Sequence, residues 1–268
     1  MRILVLIITL SIINVTILGQ TKFEDQKTIH DIDSIRARFH IPAVAFGVAN
    51  CDSIIITGAA GIREINTTDS VTINDKFHIA SLGKGLLAFI AGKLIDEGKI
   101  SWNTRFFDLF PEMKETSGIE YQDMELKDLL SHRTQLKYFN DWGAKQIIDG
   151  FNQTCPNDRF SVYKFSKYAL TLEPAKYNPG QFYRYTSMGY LLASLMLEKA
   201  SGLKYKQLLE ETNLNLGINF LIGWPTDYDK SQPKGHLIPA ESGWGESNKL
   251  EVLNGDSFTD WGEDFLFY

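Results

Sequence analysis

Hydrophobic positions along the chain follow two different spacings, which separate a short sheet element near the N-terminus from a largely helical body. Apolar residues at helical intervals predict an amphipathic helix over residues 28–39. Two short apolar runs, 43–49 and 53–58, come next, and the polar residues 50–52 lie between them. Apolar runs separated by turn-forming residues are typical of a β-hairpin. We therefore expect an antiparallel pair of strands directly after the first helix.

The rest of the chain has mainly helical periodicity. Apolar side chains recur at intervals of three and four residues, and several of these runs end at glycine. The pattern predicts helices over residues 86–98, 162–172, 188–200 and 205–214. Residues 119–130 have a polar lead and then a helical run through Leu126, Leu129 and Leu130. Beyond Gly217 the chain becomes irregular and rich in glycine, proline, serine and aspartate.

The first twenty residues have a different character. Arg2 precedes a mainly apolar stretch over residues 3–18, and Gly19 and Gln20 follow it. This arrangement is typical of a secretory signal peptide, and an uncleaved N-terminal anchor helix is the alternative. The apolar stretch is short for a membrane span. We therefore predict a signal peptide over residues 1–19, one domain over residues 20–268, since no linker divides it, and a secreted or periplasmic location.

Charge and motif content limit the classes of partner. The chain has 33 acidic and 27 basic residues and a formal net charge of −6, so nothing indicates nucleic acid as a partner. Its histidines have no metal-ligand spacing, and no phosphate-binding glycine motif occurs, so neither a metal nor a nucleotide cofactor is predicted. Cys51 and Cys155 could pair in an oxidising compartment, but two unpaired cysteines are the favoured interpretation.

Ser81 and Lys84 form an S-x-x-K tetrad at the start of an apolar helical run. Residues three apart share a helix face, so the lysine side chain is expected to reach the serine hydroxyl. A serine hydroxyl is a weak nucleophile until a base accepts its proton, and a desolvated lysine can be that base. A helix-capping serine beside a solvated lysine is the alternative, because a tetrad with two fixed positions is common by chance.

A second candidate site is Tyr185-Thr186-Ser187, just before the predicted helix over residues 188–200. A tyrosine can act as a base only if nearby cations lower its pKa, and Lys84 would supply such a charge. Ser187 could bind a substrate amide, orient Lys84 or cap the following helix. A packed core position is the alternative for Tyr185.

Four segments resemble, in the same order, the motifs of one enzyme family. Residues 41–45 resemble its opening strand, 77–84 its "F.iaS.tK" block, 126–134 its "i.dLLsHtSGLp" block and 178–192 its "PGxxFxYSNxGYxLL" block. The family is that of the serine β-lactamase-related hydrolases, which include class C β-lactamases, D-Ala-D-Ala carboxypeptidases and related esterases. The resemblance implies an α+β fold of the β-lactamase/transpeptidase type, with an antiparallel sheet flanked by helices and a mostly helical lobe.

The resemblance also implies roles for single residues. Ser81 would be the acylated nucleophile, and its backbone N–H would form half of an oxyanion hole. Lys84 would be the general base or an electrostatic partner, Tyr185 the second general acid or base, and Ser187 a substrate-binding residue. The substrate would be a small molecule or peptide: an amide, an ester, a β-lactam or a peptidoglycan peptide. In this family the position of His132 is structural.

Two departures from the family pattern support an alternative. Ser187 stands where the family usually has asparagine, and no K-T-G or H-x-G triad follows Tyr185. The segment 234–236 has the order Lys-Gly-His, and its position resembles a loop of the family instead. The closing strands of the family sheet are therefore expected to be missing. The alternative is an inactive or truncated relative that binds a ligand or a partner without turnover; a plain structural domain is a third possibility.

Overall fold

The computed structural model of the chain describes residues 25–137, 141–155, 161–177, 182–237 and 251–253. The α-helices are α1 (Gln26–Arg38), α2 (Gly83–Asp96), α3 (Phe106–Leu109), α4 (Leu126–Leu130), α5 (Asp141–Thr154), α6 (Val162–Ala169), α7 (Met188–Ser201), α8 (Tyr205–Leu216) and α9 (Pro225–Tyr228). The strands are β1 (Ala43–Ala49), β2 (Ile54–Gly61), β3 (Gly235–Leu237) and β4 (Glu251–Leu253). The predicted α+β class is confirmed. The signal peptide predicted over residues 1–19 lies outside the described residues and stays a prediction.

The chain divides into two compact units, and the first comprises Met1–Lys76 and Pro233–Val252. Within it, β1 and β2 form the predicted antiparallel hairpin, in a register that pairs Ala43 with Gly61. The side chain of Asn50 closes the turn, because its Oδ1 accepts hydrogen bonds from the backbone N–H groups of Asp52 at 2.9 Å and Ser53 at 2.7 Å. Asparagine is common in tight turns because its side chain can accept hydrogen bonds from nearby backbone N–H groups.

Helix α1 packs on this hairpin. Gly58 makes the contact possible, because a Cβ atom there would lie 2.5 Å from the Phe46 ring and 3.0 Å from the Ile29 side chain. Asp25 caps the helix by accepting a hydrogen bond from the Lys27 backbone N–H at 3.2 Å. No residue of α1 is fully buried, however.

The sequence suggests a loop over residues 234–236, but two of these residues lie in a strand. Gly235 and His236 lie in β3, which pairs with β4. The Lys234 backbone N–H donates to the Arg63 carbonyl at 2.9 Å, and His236 Nε2 accepts from the Ile65 N–H at 3.1 Å. These contacts join residues about 170 positions apart in sequence, and local periodicity carries no information on such pairing.

The second unit comprises Phe77–Gln232 and Leu253–Tyr268, and its core surrounds α7. Ten consecutive residues of α7, Met188 to Leu197, are buried. A helix that is apolar on every side belongs in a core, and each fully buried leucine contributes roughly 1.5–3 kcal/mol to stability. Gly189 lets α7 approach α4 closely, because a Cβ atom there would lie 2.7 Å from the Leu129 carbonyl oxygen.

The helix boundaries agree with one sequence expectation and reveal one helix that was not predicted. The helical run predicted through Leu126, Leu129 and Leu130 forms the short α4, and the polar lead before it contains a 3₁₀ turn, Ile119–Tyr121. A capping box formed by Glu125 and Asp128 begins α4. Helix α5 was not predicted, although Ile147, Ile148 and Phe151 have helical spacing. Among the described residues, no helix is both long and apolar enough to cross a membrane.

Candidate active site

Ser81 lies in a tight 3₁₀ turn that leads directly into α2. The turn spans Ala80–Leu82, and α2 begins two residues after the serine, at Gly83. Ala80 has a φ of +44°, a left-handed conformation that non-glycine residues seldom adopt. Such a conformation costs about 1–3 kcal/mol and is most often found at functional sites. The turn leaves the Ser81 side chain exposed at the N-terminal end of the helix.

Lys84 and Tyr185 both contact the Ser81 hydroxyl. Lys84 Nζ donates a hydrogen bond to Ser81 Oγ at 3.0 Å, and the Tyr185 hydroxyl donates to the same oxygen at 2.8 Å. All three residues belong to the second unit. The structure therefore brings together the three residues that the sequence predicts as catalytic, although residues 81 and 185 are separated by more than a hundred positions.

The Lys84 side chain is buried, with 4% of its surface exposed. Its ammonium group lies 5.2 Å from the centre of the Tyr185 ring and 5.8 Å from that of Tyr190. Cation–π contacts of this kind become stronger when the cation is desolvated. The lysine charge is thus held beside the phenol and the serine hydroxyl, where water screens it weakly.

The pKa of Tyr185 is shifted by opposing influences. Burial, the largest of them, raises this pKa, but hydrogen bonds involving Lys84, Ser81 and Ser187, together with the Lys84 charge, outweigh it. The net effect lowers the pKa of Tyr185 below its ordinary value. Burial and the neighbouring tyrosines raise the pKa of Tyr190 instead. Of these two phenols, only the one beside Ser81 therefore has a lowered pKa.

Ser187 directly precedes α7, but its side chain does not cap the helix. Its backbone is already helical and its hydroxyl makes no capping hydrogen bond. The neighbouring Thr186 takes that role, because its Oγ1 accepts from the Met188 backbone N–H at 3.3 Å. Ser187 is 8% exposed and contributes to the lowered pKa of Tyr185. The structure thus places Ser187 beside the phenol, whereas the sequence left capping open as an alternative.

His132 is a site neighbour that sequence reasoning did not assign to the site, and it contacts Thr186 of the predicted group. The Thr186 backbone N–H donates to His132 Nδ1 at 3.3 Å, and the Thr186 hydroxyl donates to the Lys137 carbonyl at 3.1 Å. The His132 ring packs against Tyr185, with 4.6 Å between ring centres. The only available signal was the histidine in the "LLsH"-like block, which indicated a structural role.

The comparison with protein families agrees with this geometry. A sequence model of the family described as Beta-lactamase matches residues 30–225, well over half of the chain. The chain belongs to the Beta-lactamase family. The resemblance noted from the four sequence segments is therefore confirmed, and the matched region contains Ser81, Lys84, Tyr185 and Ser187.

Single proteins and solved structures resemble this chain only at low sequence identity. Penicillin-binding protein 4* of Bacillus subtilis (strain 168) is 24% identical over 157 residues, which cover 56% of this chain and 31% of that protein. The octameric penicillin-binding protein homologue from Pyrococcus abyssi has a TM-score of 0.63 and 18% identity, covering 85% of this chain and 50% of that one. The D-amino acid amidase from Ochrobactrum anthropi SV3, complexed with L-phenylalanine amide, has a TM-score of 0.59 and 17% identity, covering 84% and 61%.

These likenesses establish the fold of this Beta-lactamase family chain. The two structures are less than 25% identical to it, so the similarity concerns the fold alone. The chain spans less than two thirds of the length of each of these three proteins.

The described part of the chain has neither a cluster of metal ligands nor a disulfide. It contains no group of three or more histidine, cysteine, aspartate or glutamate side chains that could hold a metal ion. Cys51 and Cys155 are both free thiols, which agrees with the interpretation favoured from the sequence. The candidate site is therefore built from a serine, a lysine and tyrosine side chains.

Proposed function

We propose that this chain is a serine hydrolase that acts through a covalent acyl-enzyme at Ser81. One observation carries the proposal: Ser81 Oγ lies within hydrogen-bond distance of both the Lys84 ammonium and the Tyr185 phenol. A nucleophile beside a candidate base, with a further group that orients or activates the base, is the arrangement that acyl transfer requires.

The pKa directions suggest how the roles are divided. The lowered pKa of Tyr185 makes its phenolate accessible, so Tyr185 accepts the Ser81 proton as Oγ attacks the substrate carbonyl carbon. The Oγ–carbon bond forms while the carbonyl electron pair moves to oxygen. When the intermediate collapses, Tyr185 returns the proton to the leaving group. Lys84 then acts as an electrostatic partner that stabilises the phenolate and the developing negative charge. Water releases the acyl group by the same steps in reverse order.

The backbone around Ser81 offers one donor for the oxyanion. None of the described residues accepts a hydrogen bond from the Ser81 backbone N–H, whereas the Leu82 N–H donates to the Ile79 carbonyl at 3.0 Å. Donors at the start of a helix lack acceptors within the helix. A single preorganised donor of this kind can contribute about 3–4 kcal/mol to transition-state stabilisation.

We propose a small amide, β-lactam or ester as the substrate. Similarity to a penicillin-binding protein and to an amidase complexed with an amino acid amide supports the first two classes. The sequence further suggests that the protein acts in a secreted or periplasmic location.

A second candidate function is binding of a ligand or partner without turnover. Ser187 favours it, because the family usually has an asparagine at this position and a serine lacks the amide donor that could bind a substrate amide. In this case Ser81, Lys84 and Tyr185 would be an inherited arrangement that no longer completes a reaction.

Labelling with a fluorescent penicillin distinguishes the two functions. Wild-type protein should acquire a covalent label that withstands denaturation, and Ser81→Ala should acquire none. Ser117→Ala is a matched control, because Ser117 is a partly exposed serine of the same unit whose hydroxyl donates to a backbone carbonyl. Saturable but reversible penicillin binding, with no covalent label in any protein, would support the binding function and contradict the hydrolase.

A further inference from the structure

A single residue, His132, holds both backbone N–H groups that flank Tyr185. The Arg184 N–H donates to the His132 carbonyl oxygen at 3.0 Å. The Thr186 N–H donates to His132 Nδ1 at 3.3 Å. Tyr185 lies between these two attachments, so its backbone is fixed on either side by the same residue. A shift of His132 would therefore move the Tyr185 phenol relative to Ser81.

The His132 ring is enclosed by tyrosines. Ring centres lie 4.6 Å away for Tyr185, 5.2 Å for Tyr190 and 5.7 Å for Tyr183, the last in an edge-to-face arrangement. Only 8% of the residue is exposed. The ring thus contacts the Tyr185 side chain as well as its flanking backbone, and the contact leaves it little freedom to rotate.

The backbone of His132 is anchored at the end of α4. Its N–H donates to the Leu129 carbonyl at 3.4 Å, and the next residue, Arg133, donates to the Asp128 carbonyl at 2.9 Å. His132 itself has a φ of +60°, a left-handed conformation that asparagine and histidine tolerate better than most residues. The Tyr190 hydroxyl donates to the Leu130 carbonyl at 2.9 Å and fixes the same end of α4 to α7.

We propose that neutral His132 is the positioning residue for Tyr185, holding the phenol on Ser81 through its Nδ1 lone pair and its carbonyl, and that protonation of the ring releases Tyr185. The proposal rests on the proposed function only in taking Tyr185 as the proton acceptor. A protonated imidazole carries a hydrogen on both nitrogens, so Nδ1 could no longer accept from the Thr186 N–H. Protonation would therefore break one of the two attachments.

Burial and the charge of Lys84 oppose protonation of the His132 ring. Lys84 on α2, Tyr183 and Tyr185 on the segment before α7, and Tyr190 on α7 are the titratable groups that face it. Burial, followed by the Lys84 charge, lowers the pKa of His132 below its ordinary value of about 6.5. The unfolded chain then binds a proton at higher pH than the folded chain does. His132 consequently reduces folding stability as pH falls below about 6.5, and it has no such effect at higher pH.

Two substitutions separate positioning from simple packing. His132→Asn keeps a side-chain acceptor close to the Nδ1 position, tolerates the left-handed backbone and cannot be protonated. His132→Phe keeps an aromatic ring but has no acceptor. Tyr121→Phe is the matched control, because it removes another buried hydrogen bond of the same unit, from the Tyr121 hydroxyl to the Leu172 carbonyl at 3.0 Å.

The first measurement is the pKa of Tyr185 by NMR of protein with isotopically labelled phenol carbons, and it does not depend on turnover. The Tyr185 resonance is assigned by its loss in Tyr185→Phe. We expect His132→Asn and Tyr121→Phe to keep the lowered pKa, and His132→Phe to raise it toward the ordinary value. Equal Tyr185 pKa values in the Asn and Phe variants would overturn the proposal.

The second measurement is the pH dependence of acylation by p-nitrophenyl acetate. His132→Phe should acylate roughly 10- to 100-fold more slowly, since small displacements of a catalytic group have effects of this size. His132→Asn should stay within about threefold of wild type at neutral pH and lose the decline that His132 protonation causes at acidic pH. An Asn variant as slow as the Phe variant would contradict positioning through Nδ1. If wild type is not acylated while the Tyr185 pKa still separates the two variants, the proposed function fails and the positioning role stands.

Discussion

The two units of this chain differ in how completely they bury their apolar residues. In the helical unit, ten consecutive residues of α7 are buried and α2, α4, α6 and α8 pack around it. In the unit formed by α1 and the β1–β2 hairpin, Ile35 is 56% exposed and Phe39 62% exposed, and β1 contains no fully buried residue. Apolar side chains left in contact with water contribute little to stability, so the helical unit is the main source of folding free energy.

The candidate active site lies entirely in the better-packed unit. Ser81, Lys84, Tyr185 and His132 are all attached to α2, α4 or α7, whose buried faces form one core. Catalytic side chains need rigid support, because rates fall steeply when reacting groups are displaced. The comparison indicates that the geometry around Ser81 depends on the helical core. Substitution of the exposed apolar residues of the first unit should therefore have little effect on the geometry around Ser81.

The largest expected effect comes from exchanging one lysine in each unit for alanine. Lys84→Ala removes the cation beside the phenol, so acylation by p-nitrophenyl acetate should slow by at least about 100-fold. Lys27→Ala removes an exposed ion pair of α1 with Asp31 and should leave the rate unchanged. The measurement is the single-turnover acylation rate of each variant. Equal acylation rates for the two variants would contradict a role of Lys84 in the candidate site.

The next effect concerns stability and compares one apolar residue from each unit. Leu191, which is fully buried in α7, should lose about 2–5 kcal/mol of unfolding free energy on substitution by alanine. Ile35→Ala in α1 should lose only about 0.5 kcal/mol, because most of that side chain is already exposed. Urea denaturation of both variants measures the difference. Similar losses would show that the two units contribute equally to stability.

The smallest effect compares two glycines. A Cβ atom at Gly189 would lie 2.7 Å from the Leu129 carbonyl oxygen, so Gly189→Ala should force α7 and α4 apart and lose roughly 1–3 kcal/mol. At Gly47 in β1 the nearest atom to such a Cβ would be 3.7 Å away, an ordinary contact, and Gly47→Ala should change stability by less than about 0.5 kcal/mol. Thermal unfolding of both variants tests the pair, and a larger loss at Gly47 would contradict the packing described for α7.

Features with a local cause were predictable from the sequence. The β1–β2 hairpin follows from two apolar runs and a turn whose asparagine side chain closes it, and the bounds of β1 agree with the prediction. The long apolar run that forms α7 was predicted to within one residue of its end. Ser81, Lys84 and Tyr185 were found through motif order, which reflects a shared fold rather than any property of three isolated residues.

Features that depend on long-range contacts were not predictable. The sequence does not reveal the left-handed conformation of Ala80, which is imposed by the turn before α2. Helix α5 was missed because its glycines weaken the local signal; a Cβ atom at Gly150 would lie 2.2 Å from the Tyr168 hydroxyl, a contact with α6 that only folding reveals. Tyr185 is attached to His132 through the backbone N–H of its neighbour Thr186. This N–H binds the His132 ring, which lies 54 positions earlier in the sequence.

The most direct test of the central claim is to locate the acyl group chemically. Protein mixed with p-nitrophenyl acetate should release a rapid burst of about one equivalent of p-nitrophenolate, as acyl-enzymes that hydrolyse slowly do. Peptide mass spectrometry should then find the acetyl group on the peptide that contains Ser81. Release without a burst, or an acetyl group on any residue other than Ser81, would contradict the assignment of Ser81 as the nucleophile.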